Sequence, residues 1–183
     1  ANLDELDPQL GISIGMDPSS GEFNTRSDNT IHVHPTSNFF GTAKVAIEGR
    51  DAENNLSRRS FSIIVKPTND LPTLDFLSNL TIDEDAPEQT VNLTGITAGG
   101  GETQPLRVTA VSSYAELLTG PTVVYTSAET TGTLKFTPVA DEHGDTEITV
   151  TVEDGGLDGD LDTTADNGTF SRTFDVIVNS VND

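Results

Sequence analysis

The stretch Leu134-Lys-Phe-Thr-Pro-Val-Ala-Asp-Glu-His-Gly144, with Glu147-Ile-Thr-Val-Thr-Val152 close behind it, decides how this chain folds. Its second part alternates polar and apolar residues, which puts Ile148, Val150 and Val152 on one face of a half-buried strand. Its first part has a near copy upstream, Ile31-His-Val-His-Pro-Thr-Ser-Asn-Phe-Phe-Gly41. Pro35 falls on Pro138 and Gly41 on Gly144, and Val45, Ile47 and Asp51 then fall on Ile148, Val150 and Asp154, all at an offset of 103. After ten extra residues in the second copy, Arg59, Phe61, Ile64, Val65, Asn69 and Asp70 match Arg172, Phe174, Ile177, Val178, Asn182 and Asp183. A self-match of this kind means a tandem repeat, with one insertion after Asp154.

Working outward, the repeat sets the domains: 1–70, incomplete, and 71–183, complete. Strands are expected near 73–83, 89–97, 105–112, 122–126, 132–137, 146–153 and 169–179, bounded by turns rich in Gly, Pro, Asp and Ser. Seven short strands in a domain of this size describe an immunoglobulin-like sandwich. Ala115-Glu-Leu-Leu118 is the only helix-like stretch, too short to form a stable helix. In the first copy Leu3–Ile14 lines up with Thr97–Val108, so that copy is expected to lack its first strand and to leave a sheet edge open to homophilic pairing.

Composition agrees. Of 183 residues, Leu, Ile, Val and Phe make 47, enough for a core, and no apolar run approaches a membrane span. Thirty acids against nine Lys and Arg give a net charge of −21. Such a chain repels nucleic acid and anionic membranes, so neither is an expected partner. With no Cys, neither disulfides nor thiolate metal sites can stabilise it. A hard cation held by oxygens remains.

Thr81-Ile-Asp-Glu-Asp-Ala-Pro87, then Phe136-Thr-Pro-Val-Ala-Asp-Glu-His-Gly144, then Val150-Thr-Val-Glu-Asp-Gly-Gly156, then Phe174–Asp183 resembles the tandem cadherin-like repeats of large bacterial surface and secreted proteins. Val65-Lys-Pro-Thr-Asn-Asp-Leu-Pro72 is similar to that family's linker between repeats. The resemblance implies Greek-key β-sandwiches, an extracellular or cell-surface location, neighbouring repeats as partners, and calcium held where successive repeats meet.

Strand direction assigns the acids to poles. In the second repeat, residues 70–72, 98–104 and 154–168 share one end; Glu84, 138–145 and Asn182-Asp183 share the other. At the far end the resemblance makes Glu84, Asp141, Glu142, Asn182 and Asp183 a calcium half-site. In the first repeat Asp4, Asp7 and Asp51 form another, with Glu5 and Glu53 beside them. At the central junction Asn69, Asp70 and Asp154 are in place. Ser37-Asn-Phe-Phe40 and Gly99-Gly-Gly-Glu102 stand where the family has acids. The insertion, with Asp158, Asp160, Asp162 and Asp166 among glycines, is a candidate to supply the missing oxygens, although acids in a surface loop are commonly only solvated charge. A calcium ion there would cancel the repulsion of facing acidic poles and stiffen the linker.

Other motifs carry less. His32 and His34 share a strand face, but an exposed sheet face explains them as well, and His143 reads as incidental in its turn. No nucleophile elbow, phosphate loop or Cys nucleophile is present, so no enzyme is expected. The expected function is a calcium-stabilised structural or adhesion repeat, a spacer in a larger protein. The alternative is a carbohydrate-binding module of a secreted polysaccharide-active protein, for which Tyr114, Tyr125 and Phe39-Phe40 are a thin aromatic supply.

Overall fold

The computed structural model describes the backbone of residues 12–15, 32–50 and 52–182, and side chains within 35–47, 49 and 52–182. The chain divides into two compact units, Ala1–Pro67 and Thr68–Asp183. The described residues form strands, turns and extended segments, with no helix among them.

In the first unit, β1 (Ile12–Gly15) pairs antiparallel with β2 (His32–Pro35), and β3 (Gly41–Arg50) with β4 (Leu56–Val65). Ala43 and Val45 of β3 are buried, whereas Ile64 of β4, facing the other way, is 72% exposed.

The second unit carries β5 (Leu80–Asp83), β6 (Gln89–Leu93), β7 (Leu106–Ser112), β8 (Leu118–Val124), β9 (Gly132–Pro138), β10 (Gly144–Asp154) and β11 (Thr169–Asn179). One sheet has the order β5-β11-β10-β7, with β5 parallel to β11 and the other pairs antiparallel; the second has the order β6-β9-β8. Between them lies one apolar core, drawn from both sheets, in which Leu93, Leu117, Leu134, Ile148, Val150, Val152 and Val176 are fully buried. Burying each such side chain is worth roughly 1.5–3 kcal/mol. Two sheets closing on one core are consistent with a β-sandwich.

The alternation read from sequence sets the inward row of β10: Thr146, Ile148, Val150, Val152 and Asp154 are buried, while between them Glu147 is exposed and Thr149 half-buried. An acid therefore ends an apolar row. β5 ends likewise, with Ile82 and then Glu84 buried. Because β5 runs parallel to β11 and β11 antiparallel to β10, the two acids lie at opposite ends of the unit.

Three strand expectations need correction. The segment 73–83 is not one strand: Thr73 bridges Thr97, Leu74 and Leu77 turn inward, and pairing resumes only at Leu80, on the other sheet. Asp75 holds the crossing, its N–H donating to the Thr94 carbonyl at 2.9 Å and its Oδ2 accepting the Thr94 hydroxyl at 2.8 Å. β8 begins at Leu118, earlier than expected, because Leu117 and Leu118 are drawn into the core. The alignment of Leu3–Ile14 over Thr97–Val108 also fails. Ile12 pairs with Pro35 as Leu118 pairs with Pro138, so β1 takes the place of β8, not of β7, which pairs with β10.

Candidate acidic pole

The eleven-residue β10 delivers Asp154 to the end of the sandwich with no exposed surface. A buried carboxylate needs donors, and the loop that follows supplies them. Oδ1 accepts Nδ2 of Asn69 at 2.9 Å, the Gly156 N–H at 2.9 Å and the Gly168 N–H at 2.8 Å. The two glycine amides come from the two ends of the insertion, so this one oxygen ties the loop's entry to its exit. Gly168 must be glycine: a Cβ there would lie 2.6 Å from Asp154 Oδ2 and 3.2 Å from Pro72 Cδ. Asp154 Oδ2 is buried with no hydrogen-bond partner, as are Gln104 Oε1 and Asn167 Oδ1.

Around this centre Asn69 Nδ2 also reaches the Asp166 carbonyl at 3.1 Å. Gln104 Nε2 donates to Asn69 Oδ1 at 2.9 Å and to Glu102 Oε2 at 3.0 Å, and Glu102 Oε2 accepts the Asp70 N–H at 3.1 Å. Gly100, at φ +51°, packs against the Asp70 carboxylate. Asn69, Asp70, Glu102, Gln104 and Asp154 are thus brought together in one hydrogen-bonded network.

The insertion's own acids mostly face inward on the loop. Asp158 Oδ1 accepts the Asp160 N–H at 2.9 Å and Oδ2 the Thr163 hydroxyl at 2.7 Å; Asp160 Oδ1 accepts the Asp162 N–H at 2.9 Å. These are successive Asx turns, which fold a loop by using carboxylates as backbone acceptors. Asp166 Oδ2 takes the Leu157 N–H at 2.8 Å. Asp158 and Asp160 are therefore not gathered at Asp154. The Thr163 hydroxyl, with the Asp160 N–H second, holds the Asp158 carboxyl below its ordinary range.

On the outward side of β10, Glu153 pairs with Arg107 of β7 at 2.8 Å. That hydrogen bonding, the largest cause, holds the Glu153 carboxyl below its ordinary range; burial opposes it and the Asn167 amide adds to it. Sequence reading passed over Arg107, Gln104, Glu153 and Asn167, although the strand pairing that sets Arg107 opposite Glu153 was within its reach.

At the far end, Glu84 Oε1 accepts the Val181 N–H at 2.7 Å and Oε2 lies 3.6 Å from His143 Nδ1. His143 is thus Glu84's neighbour across the turn. Asp141, at φ +64°, and Glu142 are exposed in the turn. Asp4, Asp7, Asp51 and Asp183 lie outside the described residues, as do the side chains of His32 and His34 on β2. Among the described residues no group of three or more His, Cys, Asp or Glu is arranged to hold a metal ion. No helix among them is long and apolar enough to cross a membrane.

No protein-family model matches the chain, and no curated protein matches it. Among solved structures it is similar to the S-layer protein rSbsC(31-844), at 19% identity and TM-score 0.44, over 82% of this chain and 18% of that one. It is similar to SbsC domains 4 and 5 at 19% identity and TM-score 0.40, over 81% and 62% of the two chains. The endo-fucoidan hydrolase MfFcnA4_H294Q of glycoside hydrolase family 107 matches at 14% identity and TM-score 0.36, over 93% of this chain and 24% of that one.

Proposed function

We propose that the chain is a pair of cadherin-like sandwich repeats serving as a non-catalytic, calcium-stabilised spacer in a larger extracellular or cell-surface protein. The strand order of the second unit supports the sandwich assignment: β5 lies parallel on the last strand, and the chain crosses between the two sheets from β5 to β6, β6 to β7, β7 to β8 and β9 to β10, as Greek-key sandwiches do.

The observation that carries the calcium reading is the Asp154 carboxylate, fully buried, with Oδ2 unpartnered. A buried unsatisfied acceptor is costly, and it needs an explanation in an ion or an enclosed water. Asn69, which bonds to Asp154, also bonds to Gln104 and to the Asp166 carbonyl, and Gln104 to Glu102, so oxygens of the hard kind that calcium takes belong to the same network. Calcium bound there would tie the entering segment 69–72 to the sandwich. Asp70, Asp158 and Asp160 would contribute only by releasing their present local bonds. Neighbouring repeats are the expected partners. The far edge of β4, which pairs with no strand among the described residues, is where a homophilic contact would form.

The test is a calorimetric calcium titration of the chelator-stripped chain with thermal melts beside it. Binding with a raised midpoint is expected, about 2.7 kcal/mol of added stability at a hundredfold excess over Kd. Asp154→Asn should abolish it and Glu84→Gln should not. No heat and no shift at millimolar calcium would overturn the reading.

A further inference from the structure

The insertion returns to the sheet at Asn167-Gly168, the only Asn-Gly pair in the chain. Contacts fix both residues. Gly168 is buried, and a Cβ on it would lie 2.6 Å from Asp154 Oδ2, 3.1 Å from Asn69 Nδ2 and 3.2 Å from Pro72 Cδ. Asn167 serves through its amide nitrogen, which donates to Glu153 Oε1 at 3.1 Å and to the Leu161 carbonyl at 3.4 Å. An aspartate there would set one carboxylate against another. The loop therefore closes through the dipeptide most prone to lose ammonia, since asparagine is a labile residue and a following glycine has no side chain to shield its nitrogen. In an open chain the Gly168 nitrogen attacks Asn167 Cγ. The N–Cγ bond forms as the Cγ–Nδ2 bond breaks, and the Gly168 amide proton leaves with the amine as ammonia. Water then opens the cyclic imide to aspartate or isoaspartate.

We propose that Asn167-Gly168 is a deamidation site that the closed loop holds inactive and that makes a lasting opening of the loop permanent. Three contacts suppress the attack. The nucleophile is engaged, because the Gly168 N–H donates to Asp154 Oδ1 at 2.8 Å. The leaving group is pinned, because Asn167 Nδ2 is held by Glu153 and Leu161, which fixes the Cγ that would have to swing toward Gly168. Asn167 Oδ1, where negative charge would develop, is buried with no hydrogen-bond donor to receive it. All three restraints lapse together when the loop opens. The product cannot close as before: aspartate meets Glu153 with like charge, and isoaspartate also lengthens the backbone just ahead of Gly168. None of this depends on an ion at Asp154.

Peptide mass spectrometry of chains aged in mildly alkaline buffer with chelator tests this, reading the replacement of NH2 by OH at Asn167 and separating isoaspartate from aspartate. In the folded parent the reaction should be at least about tenfold slower than in the same chain unfolded in urea, the ratio reporting how seldom the loop opens. Glu153→Ala frees the Asn167 amide while leaving the Gly168–Asp154 bond and the core in place, and it should deamidate faster than the folded parent. Asn167→Asp carries the product from the start: by hydrogen exchange its amides of 157–166 should exchange about tenfold faster than the parent's, with residues 148–152 still protected. Equal rates at Asn167 in the folded and unfolded parent would overturn the proposal, as would a Glu153→Ala chain that ages no faster or an Asn167→Asp loop as protected as the parent's. The calcium reading fails separately, since absence of calcium heat leaves all three expectations standing.

Discussion

Glu84 and Asp154 each stand one alternate position beyond the apolar row of a strand, Glu84 after Leu80 and Ile82, Asp154 after Ile148, Val150 and Val152. Both are buried, at 4% and 0% exposure, and they sit at opposite ends of the second unit. Their surroundings differ. Glu84 has the longer side chain and reaches the rim, where one oxygen takes a single N–H and the other faces the largely exposed His143. Asp154 is too short to reach out, so the chain comes to it, with three N–H donors on one oxygen and none on the other. The difference teaches where the insertion's energy resides. A loop closed by backbone amides onto a buried carboxylate is part of the fold, while a turn that offers exposed acids near a rim carboxylate is not.

The strongest way to break the comparison is Asp154→Ala. It removes the acceptor for Gly156, Gly168 and Asn69 together and strands two buried amides, so we expect a loss of about 3–5 kcal/mol, read by denaturant unfolding in chelator. Glu84→Ala should cost less, about 1–2 kcal/mol, since it frees one amide at a residue already 42% exposed, Val181. Equal losses at the two acids would dissolve the distinction. Between them lies Gly168→Ala, where the new methyl must displace the Asp154 carboxylate or Pro72. A loss of about 1–3 kcal/mol is expected from overpacking, with the Glu84 end unperturbed in its NMR shifts.

Much of this was legible in the sequence. The alternation along 146–153 gave β10 its faces, and the same counting carried one step further already puts Asp154 inside. The repeat aligned β3 and β4 with β10 and β11 and matched Ile64 to Ile177, and both are exposed, at 72% and 41%. The two poles followed from strand direction alone. What stayed hidden depends on contacts between segments distant in sequence. Thr73–Asp83 reads as one apolar strand, yet Asp75 holds a crossing between sheets that only the position of Thr94 explains. Spacing alone does not show that the Asp158 and Asp160 carboxylates bond to N–H and hydroxyl groups of their own loop. Arg107 acquires its partners only once the strand and loop that bring Glu153 and Leu161 to it are known.

The smallest expected effect concerns acid. Glu153 titrates below its ordinary value in the folded chain because Arg107 hydrogen-bonds its charged form, with Asn167 assisting against the cost of burial. The folded pKa lies below the unfolded one, so the unfolded chain binds the proton more readily. The stabilisation is therefore fully present above about pH 4.5, the unfolded value, and is lost as pH falls through the folded one. Asp158, held down by Thr163 and the Asp160 amide, has the same sign. Melting the parent chain and Glu153→Gln in chelator from about pH 6 to about pH 3 should show the parent more stable at the upper end. The gap should narrow through the acid range as the parent's carboxylate becomes neutral like its replacement. A gap that stays constant to the lowest pH would mean that the Glu153 charge does not hold the loop. The contrast between the two poles would then rest on the Asp154 amides alone.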